Sequence, residues 1–151
     1  MWRAEKLRGQ EVYLDSNILI YAFEGMDATS LRGLKVIFSD LATGVTHART
    51  SLITRAEVLV RPIRDKQDEL VRVYSELLSG TKDITVQAVD VGIVDYAAAL
   101  RARHDSLRLP DALHLATAIH CHCRYFLTSD RRLATSRTGI EALTLQEMDQ
   151  G

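Results

Sequence analysis

Four carboxylates in this chain of 151 residues, Asp15, Glu57, Asp111 and Asp130, fall where an α/β fold could gather them. Asp15 ends the apolar run Val12-Tyr13-Leu14, and Asp130 follows Tyr125-Phe126-Leu127-Thr128-Ser129 in the same manner. Short apolar runs of this kind suit strands buried on both faces of a parallel sheet. Ligands of open α/β sheets bind in the crevice beyond the carboxyl ends of the strands, so an acid delivered there faces a ligand site. A cluster of like charges is unfavourable and raises some pKa values unless a cation neutralises it. Oxygen-only donors suit Mg²⁺ or Mn²⁺, which bind few protein carboxylates and leave positions for water and phosphate oxygens. Such a cation polarises a phosphoryl group and acidifies bound water, which makes phosphodiester hydrolysis the natural reaction of this set. Taken singly, each acid also has a plainer role: a helix cap for Asp15, a capping box for Glu57, a helix dipole for Asp111 and a turn for Asp130.

Bringing the acids together requires strands and helices in alternation. Strands are predicted at 12–14, 50–53, 84–89, 125–128 and 141–145, the last at a sheet edge. A short helix over 18–23 stops at Gly25, and Leu31, Leu34, Ile37, Phe38 and Leu41 recur at helical spacing over 30–41 before Gly44. Thr54 and Glu57 have the spacing of a capping box, which puts Glu57 in the first turn of a helix that runs to Pro62. Helices follow over 65–78, ending at Gly80, and over 91–103, capped by Asp90. Leu109-Pro110-Asp111-Ala112 has proline in a first turn and puts Asp111 at a positive helix end, while 131–136 reads as a short helix or turn. The alternation predicts an α/β domain, a three-layer sandwich around a mainly parallel sheet of about five strands.

The totals bound what this domain can be. A chain of this length buries one core, so residues 1–151 form one domain, with 1–10 as an N-terminal extension. Hydrophobic residues at 46% and charged residues at 26% fit a soluble globular protein, and no apolar run is long enough for a membrane span or signal peptide. Cytoplasmic location is the expectation. Cys121 and Cys123 point to different sides of a helix, so they cannot pair, and a reducing compartment fits. A formal net charge of −1 excludes polyanion binding through bulk charge alone, so any nucleic-acid contact must be local. Neither a dinucleotide fingerprint nor a P-loop occurs in the chain.

The ordered set Val12-Tyr13-Leu14-Asp15-Ser16-Asn17-Ile18-Leu19-Ile20-Tyr21, Thr54-Arg55-Ala56-Glu57-Val58-Leu59, Leu109 to Ala118 and Tyr125 to Leu133 resembles the PIN-domain nucleases, and most of all the VapC-type toxins of bacterial toxin-antitoxin pairs. The resemblance spans roughly residues 11–146. It implies a Mg²⁺ or Mn²⁺ dependent endoribonuclease, with Asp15, Glu57, Asp111 and Asp130 at the family's acidic positions. Asp15 and Asp111 would be the nearest metal ligands, Glu57 and Asp130 would complete the site, and Ser16, Asn17 and Ser129 would orient carboxylates through hydrogen bonds. Ser129 departs from the asparagine often found before the last acid. The same resemblance implies RNA as substrate, a cognate antitoxin as partner and a homodimer.

Other features carry less. Arg49, Arg55 and Arg131 could hold RNA phosphates, as could Arg61, Arg64 and Arg132, although solvated ion pairs explain each one equally well. His120-Cys121-His122-Cys123 alternates too closely at a helix end to close a tetrahedral zinc site, and His122 sits where a helix cap prefers glycine. His114 reads as a packed or surface histidine, Tyr13 and Tyr21 as core. The helices at 30–41 and 65–78 could frame an apolar groove for a partner helix, or simply pack in the core. Two other functions fit the same residues: a metal-free RNA-binding or regulatory module, and a nuclease acting on DNA.

Overall fold

The computed structural model describes residues 2–25, 28–135 and 137–148. Ser136, at the end of the expected 131–136 turn, the side chain of Leu31, and the polar tail at 149–151 lie outside the described residues. Five strands form one all-parallel sheet: β1 (Glu11–Leu14), β2 (His47–Ser51), β3 (Ile84–Gln87), β4 (Tyr125–Thr128) and β5 (Glu141–Thr144), in spatial order β3-β2-β1-β4-β5. The helices are α1 (Ser16–Glu24), α2 (Ala28–Ala42), α3 (Leu52–Arg64), α4 (Asp68–Leu77), α5 (Val91–Arg103), α6 (Leu109–His120), α7 (Arg131–Thr135) and α8 (Leu145–Met148). The chain lays down β1, β2 and β3 in one direction, then returns to place β4 against the other side of β1. The winding therefore reverses between β1 and β4, where loops part and leave a crevice at the carboxyl edge.

Period-two alternation divides the core into two layers of contact. Val12, Leu14, Tyr125 and Leu127 pack with Ile18 and Leu19 of α1, Leu34, Ile37 and Leu41 of α2, Val58 of α3 and Tyr74 of α4. Tyr13 and Phe126 point to the other face, against Ile93, Ala97 and Leu100 of α5, Ala112, Leu115 and Ala116 of α6 and Leu133 of α7. The small alanines let α6 lie close to the sheet, and the Tyr13 and Phe126 rings stack with centroids 5.2 Å apart. The described part of the N-terminal extension is not a loose arm. Residues Ala4–Leu7 form a 3-10 turn, Trp2 and Leu7 are buried, and the Trp2 indole N–H donates to the Thr144 carbonyl at 2.9 Å.

Several expected boundaries move, each for a local reason. β2 lies at His47–Ser51 rather than 50–53, because its residues pair with β1 from Glu11↔His47 and with β3 up to Ser51↔Gln87. The Ser51 hydroxyl, not Thr54, caps α3 by accepting the Ile53 N–H, so Glu57 sits in the second turn rather than the first. Thr54 is instead buried, sharing a 2.7 Å hydroxyl contact with Thr50, whose Oγ1 donates to the Leu14 carbonyl. α3 runs past Pro62 to Arg64 even though proline gives up its own N–H bond to the carbonyl one turn back, since the Asp65 N–H still closes the helix on the Arg61 carbonyl. It closes with Lys66 at φ 53° and the Gln67 N–H on the Pro62 carbonyl, a Schellman cap that delays α4 to Asp68. The same cap, with His122 at φ 57° and the Cys123 N–H on the Ala118 carbonyl, ends α6 in the His-Cys tract. β3 stops at Gln87 and β5 at Thr144, where Leu145, expected in the strand, instead starts the short α8.

The stacked pair of rings holds β1, β4 and α6 in mutual register. Phe126→Ala is therefore expected to destabilise the fold by about 3–5 kcal/mol, the usual range for deleting a fully buried phenylalanine, read by chemical denaturation. A loss below about 1 kcal/mol would mean that this layer does not support the sheet.

Candidate active site

All five strands run the same way, so their carboxyl ends share one edge, and the chain brings each acid to it by a different route. Asp15 follows β1 directly and is the N-cap of α1, accepting the Ser16 N–H on Oδ1 at 2.9 Å. Asp130 follows β4 after Ser129. α6 leads into β4 and runs back against the strand direction, so its first turn, with Asp111, starts at the carboxyl edge. Glu57 projects from α3, the helix that leaves β2 at the same edge.

Asp15 is almost wholly buried, and neighbours answer its oxygens. Thr128 Oγ1 donates to Oδ2 at 2.7 Å, and Asn17 Nδ2 reaches the same oxygen at 3.2 Å. Asn17 Oδ1 accepts the Ser129 N–H, while Thr128 Oγ1 accepts the Asp130 N–H at 3.0 Å, so one hydroxyl ties the ends of β1 and β4 together. Burial pushes the Asp15 carboxyl above its usual range; His114, Thr128 and the Ser16 N–H pull it back, and Glu57 adds to the rise. Ser16 contributes through its backbone N–H to Asp15, and Ser129 through its backbone, its carbonyl accepting from Gln146 Nε2. The side chain that orients Asp15 from β4 is Thr128, one residue before the serine singled out in the sequence.

His114 lies among the acids. It is buried, with Nε2 2.5 Å from Glu57 Oε1 and 3.7 Å from Asp15 Oδ1, and Nδ1 2.6 Å from the Tyr13 hydroxyl. Burial lowers its pKa, but the hydrogen bond to Glu57 and the charges of Asp15, Glu57 and Asp111 outweigh that and raise it overall. The packed histidine of the sequence reading is a polar link between the sheet and two acids. Its signal in the sequence was its place one turn after Asp111 on the same helix face.

Arg132 gathers the other two acids. Its Nη2 lies 2.6 Å from Asp130 Oδ2 and 3.8 Å from Asp111 Oδ2, while Nε and the backbone N–H both reach Asp130 Oδ1. This fork holds the Asp130 carboxyl below the usual range. Arg131 is exposed at the start of α7. Arg49 and Arg55 are engaged elsewhere: Arg49 bonds Glu11, at the opposite end of β1 from Asp15, at 2.7 Å, and Arg55 donates to the Ser75 carbonyl across the α3–α4 contact. Arg64 pairs with Asp65.

Among the described residues no three His, Cys, Asp or Glu side chains converge into a ready metal cage. The donor chemistry nevertheless fits a hard divalent cation, because Mg²⁺ uses one or two carboxylates and keeps several waters. Asp15 and Glu57 share one contact nitrogen, Asp111 and Asp130 share another, and all the candidate donors are carboxylate oxygens.

An all-parallel sheet sandwiched between helices, with these carboxylates at its carboxyl edge, defines an α/β domain with an acidic edge. The chain belongs to the PIN domain family, whose model matches residues 12–137. No curated protein matches it. Among solved structures it is similar to a toxin-antitoxin complex from Klebsiella pneumoniae, with 27% identity, 89% of this chain and 97% of that chain covered, and a TM-score of 0.66. VapBC2 from Rickettsia felis, solved bound to a DNA fragment from its promoter, shares 16% identity over 89% of this chain and 98% of that one, with a TM-score of 0.69. VapC20 from Mycobacterium tuberculosis, described as a Sarcin-Ricin loop cleaving toxin, shares 17% identity over 82% and 95% of the two chains, with a TM-score of 0.62. The last two likenesses concern the fold.

Thr128 makes a direct test of how this edge is built. Thr128→Val keeps the shape but removes the donor to Asp15 and the acceptor for the Asp130 N–H, both buried or half-buried. Denaturation at neutral pH should show a loss of about 1–3 kcal/mol. Carbon-detected NMR titration should place the Asp15 pKa higher than in the wild type, since a bond to the charged form is gone. An unchanged titration would show that Thr128 does not hold Asp15.

Proposed function

We propose that this chain is the toxin of a toxin-antitoxin pair and hydrolyses RNA phosphodiester bonds as a Mg²⁺ or Mn²⁺ dependent endoribonuclease in the cytoplasm. The observation that supports the reading is that His114 touches both Asp15 and Glu57, while Arg132 touches both Asp111 and Asp130. The toxin assignment draws on the Klebsiella pneumoniae complex, and RNA as substrate on VapC20, a Sarcin-Ricin loop cleaving toxin.

Asp15 and Asp111 would hold the cation, with Glu57 and Asp130 completing the site directly or through water. A divalent cation there supplies positive charge that steadies phosphoryl oxygens and makes water more acidic. The chain's own groups do the rest. Asp15 is fixed by Thr128, Asn17 and the Ser16 N–H, so its oxygens are oriented before substrate arrives. An ionised acid of the set would take the proton of the attacking water. Arg131, exposed beside Asp130, would bind a backbone phosphate, and Arg132 would do so once its carboxylates are otherwise engaged. Arg49 and Arg55 serve this less well, given their bonds to Glu11 and Ser75.

An antitoxin segment would have a place to lie. A cavity of about 840 Å³ opens between α1, α3 and α4, lined by Ile20, Tyr21, Phe23, Arg61, Leu70 and Val73 among others. The helix expected at 65–78 lines it as α4, but α1 takes the place of the helix at 30–41, because α2 turns Leu34, Ile37 and Leu41 into the core. The homodimer that the family resemblance implies belongs to the same proposal. Among the described residues no helix is long and apolar enough to cross a membrane.

A second reading, a metal-free RNA-binding module of the same fold, draws on the fact that His114 and Arg132 already counter the acids. One experiment separates the two. Purified wild type and Asp15→Asn are assayed on RNA and on DNA of matched sequence, with Mg²⁺ or Mn²⁺ and after chelation. RNA cleavage that disappears with chelation, returns with metal, and falls more than about 100-fold in a folded Asp15→Asn supports the nuclease. RNA binding without cleavage in any metal would favour the binding module, and cleavage of DNA alone would replace the substrate.

A further inference from the structure

We propose that His114 is a positioning residue for this site, fixing the Glu57 carboxylate through a hydrogen-bonded line anchored on the Tyr13 hydroxyl in the core. The inference deepens the nuclease reading and rests on it. Glu57 is the most exposed of the acids, with 37% of its side chain accessible. A long carboxylate side chain on a helix surface has several rotatable bonds, and unaided it would sample many positions. His114 removes that freedom from the buried side. A carboxylate can only accept, so the Nε2–H donates to Glu57 Oε1, while Nδ1 accepts from the Tyr13 O–H in the neutral ring and donates to the Tyr13 oxygen in the imidazolium, so that the line stays joined in either form.

The anchor is rigid at both ends. Tyr13 is fully buried in β1 and stacked on Phe126, and His114 is held in α6 beneath an accessible area near zero. The line Tyr13, His114, Glu57 therefore crosses from the sheet through α6 to α3, coupling three elements that no single backbone ladder joins. The same Nε2 lies 3.7 Å from Asp15 Oδ1, so the imidazole also sets how far Glu57 stands from the acid of β1. Oε1 is engaged by His114, and among the described residues no hydrogen bond reaches Oε2. Carboxylates that serve metals are commonly held by such outer partners, and loss of a partner typically costs 10–100-fold in metal affinity or activity.

An ordinary satisfied core histidine would show the same burial, so the test asks whether the effect of His114 passes through Glu57. Mn²⁺ binding to the RNA-free protein is measured by calorimetry for wild type, His114→Ala, Glu57→Ala, the double variant, His114→Gln and Tyr13→Phe, with RNA cleavage rates alongside. His114→Ala should weaken Mn²⁺ binding by about 10–100-fold. The double variant should be no weaker than Glu57→Ala by more than about twofold, the non-additivity of residues that act as a unit. His114→Gln, whose amide nitrogen can still donate, should recover most of the affinity, and Tyr13→Phe should lose part of it. If His114→Ala does not fold, Tyr13→Phe against wild type, each with and without Glu57→Ala, carries the comparison. Wild-type Mn²⁺ affinity in the folded His114→Ala protein, or in Tyr13→Phe where that comparison stands in, would overturn the role, as would an undiminished loss in the Glu57→Ala background. If the wild-type chain itself bound no Mn²⁺, the nuclease reading would fall and this role with it, a different result from unchanged binding in the variants.

Discussion

Four carboxylates brought to one edge of a sheet repel one another, and the neighbourhood of Asp15 is arranged around that repulsion. Asp15 has left water almost completely, which alone would favour its neutral form. A hydroxyl from Thr128, an amide from Asn17 and a backbone N–H at the start of α1 offset part of that cost. His114 and Arg132 then stand between the acids in pairs. The result is an acidic patch in which most oxygens already have fixed directions, rather than a loose acidic surface.

That patch depends on the direction of the strands. Parallel pairing puts every carboxyl end on one side, and a helix that links two parallel strands must run back against them, so its amino end starts there too. The reversal between β1 and β4 opens the edge at the place where Asp15 and Asp130 emerge. The two layers of core hold this geometry from both faces. Tyr13 has a part in both roles, since its ring stacks in the core while its hydroxyl reaches the histidine that touches the acids.

Much of this architecture is legible in the residues. Val12 to Leu14 and Tyr125 to Thr128 are uncharged runs that end in acids, and their burial on both faces follows from that pattern. Asp90 caps α5 through its side chain, as its type and position suggest. The α/β class and five-stranded sheet follow from the alternation of elements. Less legible were boundaries decided by tertiary partners. Thr54 has the chemistry of a cap but spends its hydroxyl on Thr50 in the interior, and Ser51 takes the cap once β2 is fixed by pairing with β1 and β3. Pro62 reads as a stop, yet α3 continues through it to Arg64, a continuation the local sequence does not show. The hydrogen-bond partners within the site were the hardest to see. Thr128 and His114 connect residues about a hundred positions apart, and no local pattern states which of two adjacent hydroxyls, Thr128 or Ser129, will meet Asp15. The arginines illustrate the same limit: Arg49 and Arg132 are alike in type, but only the fold sends one to Glu11 and the other to Asp130.

The central claim is that these distant acids jointly hold one or more divalent ions against an RNA linkage. Anomalous diffraction from crystals grown with Mn²⁺ tests it most directly. The account predicts a Mn²⁺ peak at the carboxyl edge, about 2.0–2.2 Å from an Asp15 oxygen and bonded, directly or through water, to at least one of Glu57, Asp111 and Asp130. A protein that binds Mn²⁺ only elsewhere, or whose Asp15 and Asp111 contact no metal at saturating Mn²⁺, would contradict it.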